Sequence, residues 1–369
     1  MSWHGVTTVA RLELRQRTRA SKWVVVLGIW FAVIGLVSTL SYLALNDPDA
    51  QSGAAMYDVV IFFVLGLGML VVPSLTATSI NGDREHGVLA TLQTTLLTSA
   101  DLVLGKLLAS WVICGAFLVT ALPFLVWAWV EGGVPVGRIL LSLVVLMLVL
   151  AVVCALGLMF STLTARPVGS AVLTYLALGA LVFGTVISFG LSAFLVSDRE
   201  TVRVYGIPEE FHESNIGAPP LDEYGNPVPG TERVPTRADC VEHDQTREVT
   251  HTERIWWLLP LNPFVVVADA APSDPPRNQD MGMGFTPMRW ISEGSRAARV
   301  GETGEVRQEC WVDMDAGEPT DPVEAAAKGA AVWPFGLLFL LLAGGGATTV
   351  AERRLRTPIR RLPNGTRIA

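Results

Sequence analysis

The sequence predicts an all-α polytopic membrane protein. It has six transmembrane helices, an N-terminal interfacial helix, a cytoplasmic coupling helix and a large extracytoplasmic insertion between helices 5 and 6. Three observations predict this. Only 17% of the 369 residues are charged while 51% are hydrophobic, whereas soluble domains carry roughly a quarter charged residues. Six gaps in the charge pattern are each long enough to cross a bilayer, which takes about 20 apolar residues. Basic residues also crowd the loops on one side of those gaps.

The stretches free of Asp, Glu, Lys and Arg are 23–45, 59–82, 107–130, 139–165, 167–197 and 329–351. With the N-terminus placed inside, Lys and Arg number 14 on the inner side, from Arg11 to Arg367, and the short outer loops hold only Arg138. That asymmetry places both termini in the cytoplasm; the expected location is the cell (plasma) membrane of a bacterium, crossed several times. Trp23 and Trp111 fall at inner ends, and Trp127, Trp129 and Trp333 at outer ends, as an interfacial aromatic belt requires. Within the gaps there is no Asp, Glu, Lys, Arg or His, so no proton relay or ion pair is expected at membrane depth. The domain reading is 1–22 interfacial helix, 23–197 helices 1–5 with a coupling loop at 80–106, 198–328 extracytoplasmic domain, 329–351 helix 6 and 352–369 basic cytoplasmic tail.

Residues 3–22 place Trp3, Val6, Ala10 and Leu14 at helical spacing, with Arg11, Arg15, Arg19 and Lys22 mostly opposite. This reads as a helix lying in the membrane interface, although Glu13 and Arg17 interrupt the apolar face; the alternative is a plain basic stop before the first span. The insertion holds 25 of the 34 acidic residues and 12 of the 27 basic ones. It therefore accounts for the net charge of −7, which gives no support for nucleic-acid binding. Its early part, 217–235, is Pro- and Gly-rich and reads as loop. Cys240 and Cys310 both lie in the insertion and are read as a disulfide, closing a loop whose stabilisation is about 4 kcal/mol in the chain-entropy model. The apolar run 255–271 is broken by Pro260 and Pro263. It reads either as a re-entrant segment or as the core of the outer domain. His212, His243 and His251 lie among carboxylates but form no recognised metal motif, so no metal site is expected.

No phosphate-loop motif occurs: Gly105-Lys106 is followed by Leu107, where such a loop carries Ser or Thr. Neither a dinucleotide-binding GxGxxG nor a nucleophile elbow is present. The chain is therefore not expected to be an enzyme, nor to hold a cofactor of its own.

The loop after the second gap carries the most information. It runs Asp83-Arg84-Glu85-His86-Gly87-Val88-Leu89, continues through Leu92, and ends at Gly105-Lys106 before the third gap. Val88, Leu89, Leu92 and Leu96 follow helical spacing, which predicts a short amphipathic helix along the inner surface, suited to docking on a soluble partner. Ser99 followed by Asp101 reads as the cap of the next helix. This loop resembles that of ABC-2 type permeases, the membrane subunits of ATP-binding-cassette exporters, which reads like E-R-E-x-G-T-L-x-x-L-x-x-T-P-x-S followed by a G-K. Asp83 stands for the first Glu, Val88 for Thr, and Leu96 where Pro is common. Asn262-Pro263-Phe264 also looks like the family.

The resemblance implies a half-transporter. Two permease chains, identical or sister, would pair in the membrane lipid. Two copies of a separate ABC ATPase, which would bind the ATP and Mg, would dock on Asp83, Arg84, Glu85, His86, Gly87, Val88, Leu89 and Leu92. The cargo is unidentified, and spans without charge fit an amphiphile. The alternative reading is a membrane-anchored sensor or assembly scaffold whose outer domain binds a ligand or an envelope partner.

Overall fold

The computed structural model describes residues 2–18, 22–44, 52–85, 87, 97–132, 134–208, 239–272, 286–301, 307–308, 310 and 331–356. It contains six helices long and apolar enough to cross a membrane, at Trp23–Ala44, Gly53–Glu85, Ser99–Val130, Val136–Leu163, Pro167–Ala193 and Trp333–Leu355. The chain divides into two compact units, Met1–Ser188 with Leu258–Ser295 and Val332–Ala369, and Phe189–Trp257 with Arg296–Ala331.

In the first unit the helices in chain order are α1 (Trp3–Thr18), α2 (Lys22–Ala44), α3 (Ser52–Thr76), α4 (Ser79–Glu85), α5 (Ser99–Val130), α6 (Val136–Leu163) and α7 (Pro167–Gly179). A π-helical turn at Ala180–Gly184 joins α7 to α8 (Thr185–Ala193). Beyond the insertion's strands come α9 (Pro263–Ala270), α10 (Pro287–Val300) and α11 (Trp333–Leu355). The second, third and fourth spans form the centre: Met56, Val60 and Leu65 interlock with Ile113, Ala121 and Leu125 and with Leu146, Val149 and Cys154. The first and fifth spans are peripheral, only 17% buried, and display Val24, Leu36, Val168, Leu176 and Phe183. Apolar surface on that scale calls for lipid or a protein partner against it. The run at 255–271 joins this unit from Leu258 onward, with Val266 and Val267 in the same core as the spans.

Several helices outlast the charge-free stretches that announced them. α3 begins before Asp58, and α5 begins at Ser99, so that Asp101 and Lys106 lie inside it. All three are buried, which corrects the expectation of spans without ionisable groups. Each charge is compensated locally. Asp58 accepts from the amides of Met288 and Arg289, both at 2.9 Å, at the start of α10. A further buried carboxylate, Asp269, accepts from the amides of Val332 at 2.6 Å and Trp333 at 2.8 Å, at the start of α11. A carboxylate at a helix start satisfies orphan amides and meets the positive end of the dipole.

The second unit is not helical throughout. β1 (Ser197–Gly206) pairs antiparallel with β2 (Val241–Thr250) from Ser197↔Thr250 to Gly206↔Val241, and parallel with the short β3 (Arg307–Gln308). The order is β2-β1-β3. This three-stranded sheet corrects the all-α expectation. Its strands are rich in charged and polar residues, with Val204 and Val249 as their buried side chains, so they carry little apolar signal of the period of two. Cys240, before β2, is bonded to Cys310, after β3, with Cα atoms 5.9 Å apart. Among the described residues, the two cysteines and the inward Val204 and Val249 are buried in this sheet region. The predicted loop at 217–235 lies outside the described residues.

Candidate coupling site

The site is built where α1, α4 and α5 meet. α5 starts with a capping box: Thr98 Oγ1 accepts from the Asp101 amide at 3.2 Å, and Asp101 Oδ2 accepts from the Thr98 amide at 3.0 Å. The cap is therefore Thr98, not Ser99, because only a side chain outside the first turn can reach the third amide. Asp101 Oδ1 also accepts from the Ser2 amide at 2.8 Å, which ties the beginning of α1 to the beginning of α5. The two helices approach closely along Gly105. A methyl group there would lie 2.6 Å from Val9 Cβ and 3.0 Å from the Val6 carbonyl oxygen.

The buried face of α1 is Gly5, Val6, Val9, Ala10 and Glu13. Trp3, expected on the apolar face, is 72% exposed. Glu13, which interrupts the apolar pattern in the sequence, is instead the residue that fixes the helix. One turn past Asp101, Lys106 is 1% exposed. Its ammonium donates to Glu13 Oε2 at 3.0 Å and to Ser79 Oγ at 3.1 Å, and pairs with Asp83 Oδ2 at 2.7 Å. Arg17 completes the cluster. It pairs with Glu13 Oε1 at 2.9 Å and donates to the Leu75 carbonyl at 3.0 Å. Two acids face two bases, and the cluster is formally neutral. Burial pushes the Glu13 carboxyl up, but the charges and hydrogen bonds of Lys106 and Arg17 together outweigh it and hold its pKa below the ordinary value. Removing one member of such a buried set costs about 3–5 kcal/mol, because the survivors are left uncompensated.

α4 is fastened on a second side. Ser161 Oγ, near the end of α6, accepts from the Ile80 amide at 3.0 Å and the Asn81 amide at 3.2 Å, and Asn81 Nδ2 donates to Thr164 Oγ1 at 3.2 Å. Ile80 packs with Val9, Leu102, Val103, Leu158, Ala351 and Leu355 in a second core beneath the spans. A helix of seven residues is too short to persist alone; here side chains from α1, α5 and α6 hold it.

The residues predicted to receive a partner are thus divided. Asp83 turns inward onto Lys106, joining the two ends of the loop motif. Arg84 is half-buried and Glu85 exposed. Gly87 has φ +72°, a left-handed conformation that suits glycine after a helix end, and its amide donates to the Arg84 carbonyl at 3.3 Å. His86, Val88, Leu89 and Leu92, and the amphipathic helix expected there, lie outside the described residues. Sequence reasoning missed Glu13, Arg17, Ser79, Asn81 and Ser161. A signal existed for Glu13: it is the sole acid before Asp47, placed on an otherwise apolar helix face.

Fold and site together define a multi-pass membrane protein with a charged segment locked at one end of its helical bundle. The family model described as ABC-2 family transporter protein matches residues 7–195, more than half of the chain, and the chain belongs to that family. The match contains Glu13, Arg17, Asp83 and Lys106 and ends before the insertion. Members of this family generally pair with an ABC ATPase subunit. No curated protein matches the chain.

Proposed function

We propose that this permease is the translocation subunit of an exporter driven by ATP, hydrolysed on two copies of a separate ABC ATPase that hold the nucleotide and its Mg²⁺. The N-terminus, α4 and Glu85 then face the cytoplasm, the insertion faces outward, and a second permease chain completes the pathway in the cell membrane. The observation that carries the reading is the Lys106 cluster. It fastens α4 to α1 and to the base of α5. A load applied at exposed Glu85 and the turn at Gly87 therefore passes into spans 2 and 3 instead of being absorbed by a loose loop. ATP-driven closure of the ATPases would shift the bundle by favouring one orientation of this segment. The cargo in this reading is amphiphilic.

The test starts with gentle purification of the tagged chain from its native host and identification of what co-elutes. A stoichiometric nucleotide-binding subunit supports the reading, and its reproducible absence from well-folded protein overturns it. With the complex in hand, Glu85→Arg should abolish ATPase stimulation while the chain stays folded.

A further inference from the structure

The fifth span is interrupted where a straight helix would serve to cross a bilayer. α7 gives way to the π turn at Ala180–Gly184 before α8 resumes. Such a turn inserts an extra residue, breaks the regular i→i+4 ladder and leaves carbonyls to be satisfied from elsewhere. Two side chains satisfy them. Thr185 Oγ1 donates to the Leu181 carbonyl at 2.8 Å, and Asn262 Nδ2, just ahead of α9, donates to the Val182 carbonyl at 2.8 Å and to Thr185 Oγ1 at 3.2 Å. Asn262 is 4% exposed. Its Oδ1 meanwhile caps α9 by accepting from the Phe264 amide at 2.9 Å. Every polar atom of this amide is in use.

The two halves of the span are anchored differently. On α7, Ser170 Oγ donates to the Ala77 carbonyl at 2.6 Å and Tyr175 OH to the Leu70 carbonyl at 2.7 Å, so α7 is tied to the second span. Beyond the π turn the polar tie runs to Asn262, at the head of α9. At the other end of α9, Asp269 caps the start of the sixth span. α9 is thus a strut with one amide on span 5 and one carboxylate on span 6. With only 17% of the fifth span buried, these few polar ties weigh heavily in its position.

We infer that the π turn is a hinge in the fifth span and that Asn262 is its positioning residue, coupling the C-terminal half of span 5 through α9 to the head of span 6. The two elements move as one body while α7 stays with span 2. The inference rests on reading the chain as a permease that moves, but its test uses neither an ATPase nor a nucleotide, so the two fail separately.

The experiment places spin labels on the chain alone in lipid nanodiscs. One pair reads the tie through Asn262 and α9, at exposed Ile187 on span 5 and Leu338 on span 6, and a control pair sits on exposed Leu70 and Val172. Asn262→Asp keeps the cap acceptor but replaces the donor with a carboxylate facing the Val182 carbonyl. Thr185→Val removes the hydroxyl and keeps the shape. Both variants should broaden the 187–338 distance distribution about twofold, as expected when a local constraint is released, and leave the 70–172 distribution unchanged. Unchanged widths at 187–338 in both variants would overturn the inference. Equal broadening of both pairs would also overturn it, since that is the signature of general loosening. If Asn262→Asp does not fold, Asn262→Ser, which keeps an N-cap acceptor but is too short to hold the Val182 carbonyl, decides in its place.

Discussion

Lys106→Met isolates the energetics of the coupling site. The substitution keeps most of the volume and removes the ammonium that Glu13 and Asp83 share. Glu13 retains Arg17 at 2.9 Å, while Asp83 loses the cation that holds it inward. The side chains of Glu13 and Asp83 are 12% and 22% exposed, so water softens the penalty and the cost falls at the lower end of the range, about 3 kcal/mol. At 1.36 kcal/mol per decade that is roughly a hundredfold change in an opening equilibrium. The assay is amide hydrogen exchange on the chain in nanodiscs. Exchange across Ser79–Glu85 should accelerate about a hundredfold, and that of the α6 core near Val149 should not change. A double variant, Lys106→Met with Asp83→Asn, should recover much of the loss, because removing both partners leaves no buried charge stranded. Unchanged exchange in the single variant, or additive losses in the double, would refute the argument that the ion cluster holds α4.

Three further outcomes are expected. Glu13 titrates below its ordinary value of 4.5 in the folded chain, so its contribution is complete above that value and is lost as pH falls through the depressed one; protection of α1 should drop on acidification, and Glu13→Gln should flatten the profile. His251 behaves with the opposite sign. Its Nδ1 lies 2.9 Å from Glu253 and its Nε2 3.2 Å from Glu200, and the Glu253 hydrogen bond, with Glu200 adding, raises its pKa against some desolvation. Its contribution is present below 6.5 and lost as pH rises through the folded value; exchange in β1 and β2 should quicken over that window, and not in His251→Gln. Cys240→Ser should expose Cys310 to a membrane-impermeant thiol reagent that leaves the wild type unlabelled, and the sheet should lose up to about 4 kcal/mol of stabilisation.

The six spans were legible because a bilayer penalises each unpaired charge, so gaps in the charge pattern mark where helices cross. The same rule misplaced their ends. Span 3 read as beginning at 107, yet α5 starts at Ser99, because Asp101 is met by amides and Lys106 by two carboxylates. A charge stops a span only when nothing neutralises it, and the neutralising groups here are far off in sequence: Glu13 is 93 residues from Lys106. Asp83 stood out in its motif, but its inward turn could not be read without Lys106 in place beside it. Asn262 was noticed for its neighbours Pro263 and Phe264, whereas its task depends on a π turn 80 residues upstream at Val182. The strands escaped notice because a ribbon with few buried residues needs little hydrophobic signal.

The separation between Glu13 and Lys106 also bears on biogenesis. α1 leaves the ribosome long before its buried partner exists. At about 5–20 residues per second the interval is about 5–20 s. Throughout it Glu13 has one counter-ion of its own, Arg17, a single turn away on the same helix. That local i,i+4 pair gives the acid a counter-charge that does not depend on any later part of the chain. Arg17 is in this sense a provisional partner written into the chain: it keeps Glu13 Oε1 in the folded protein, and Lys106, once made, takes the other oxygen.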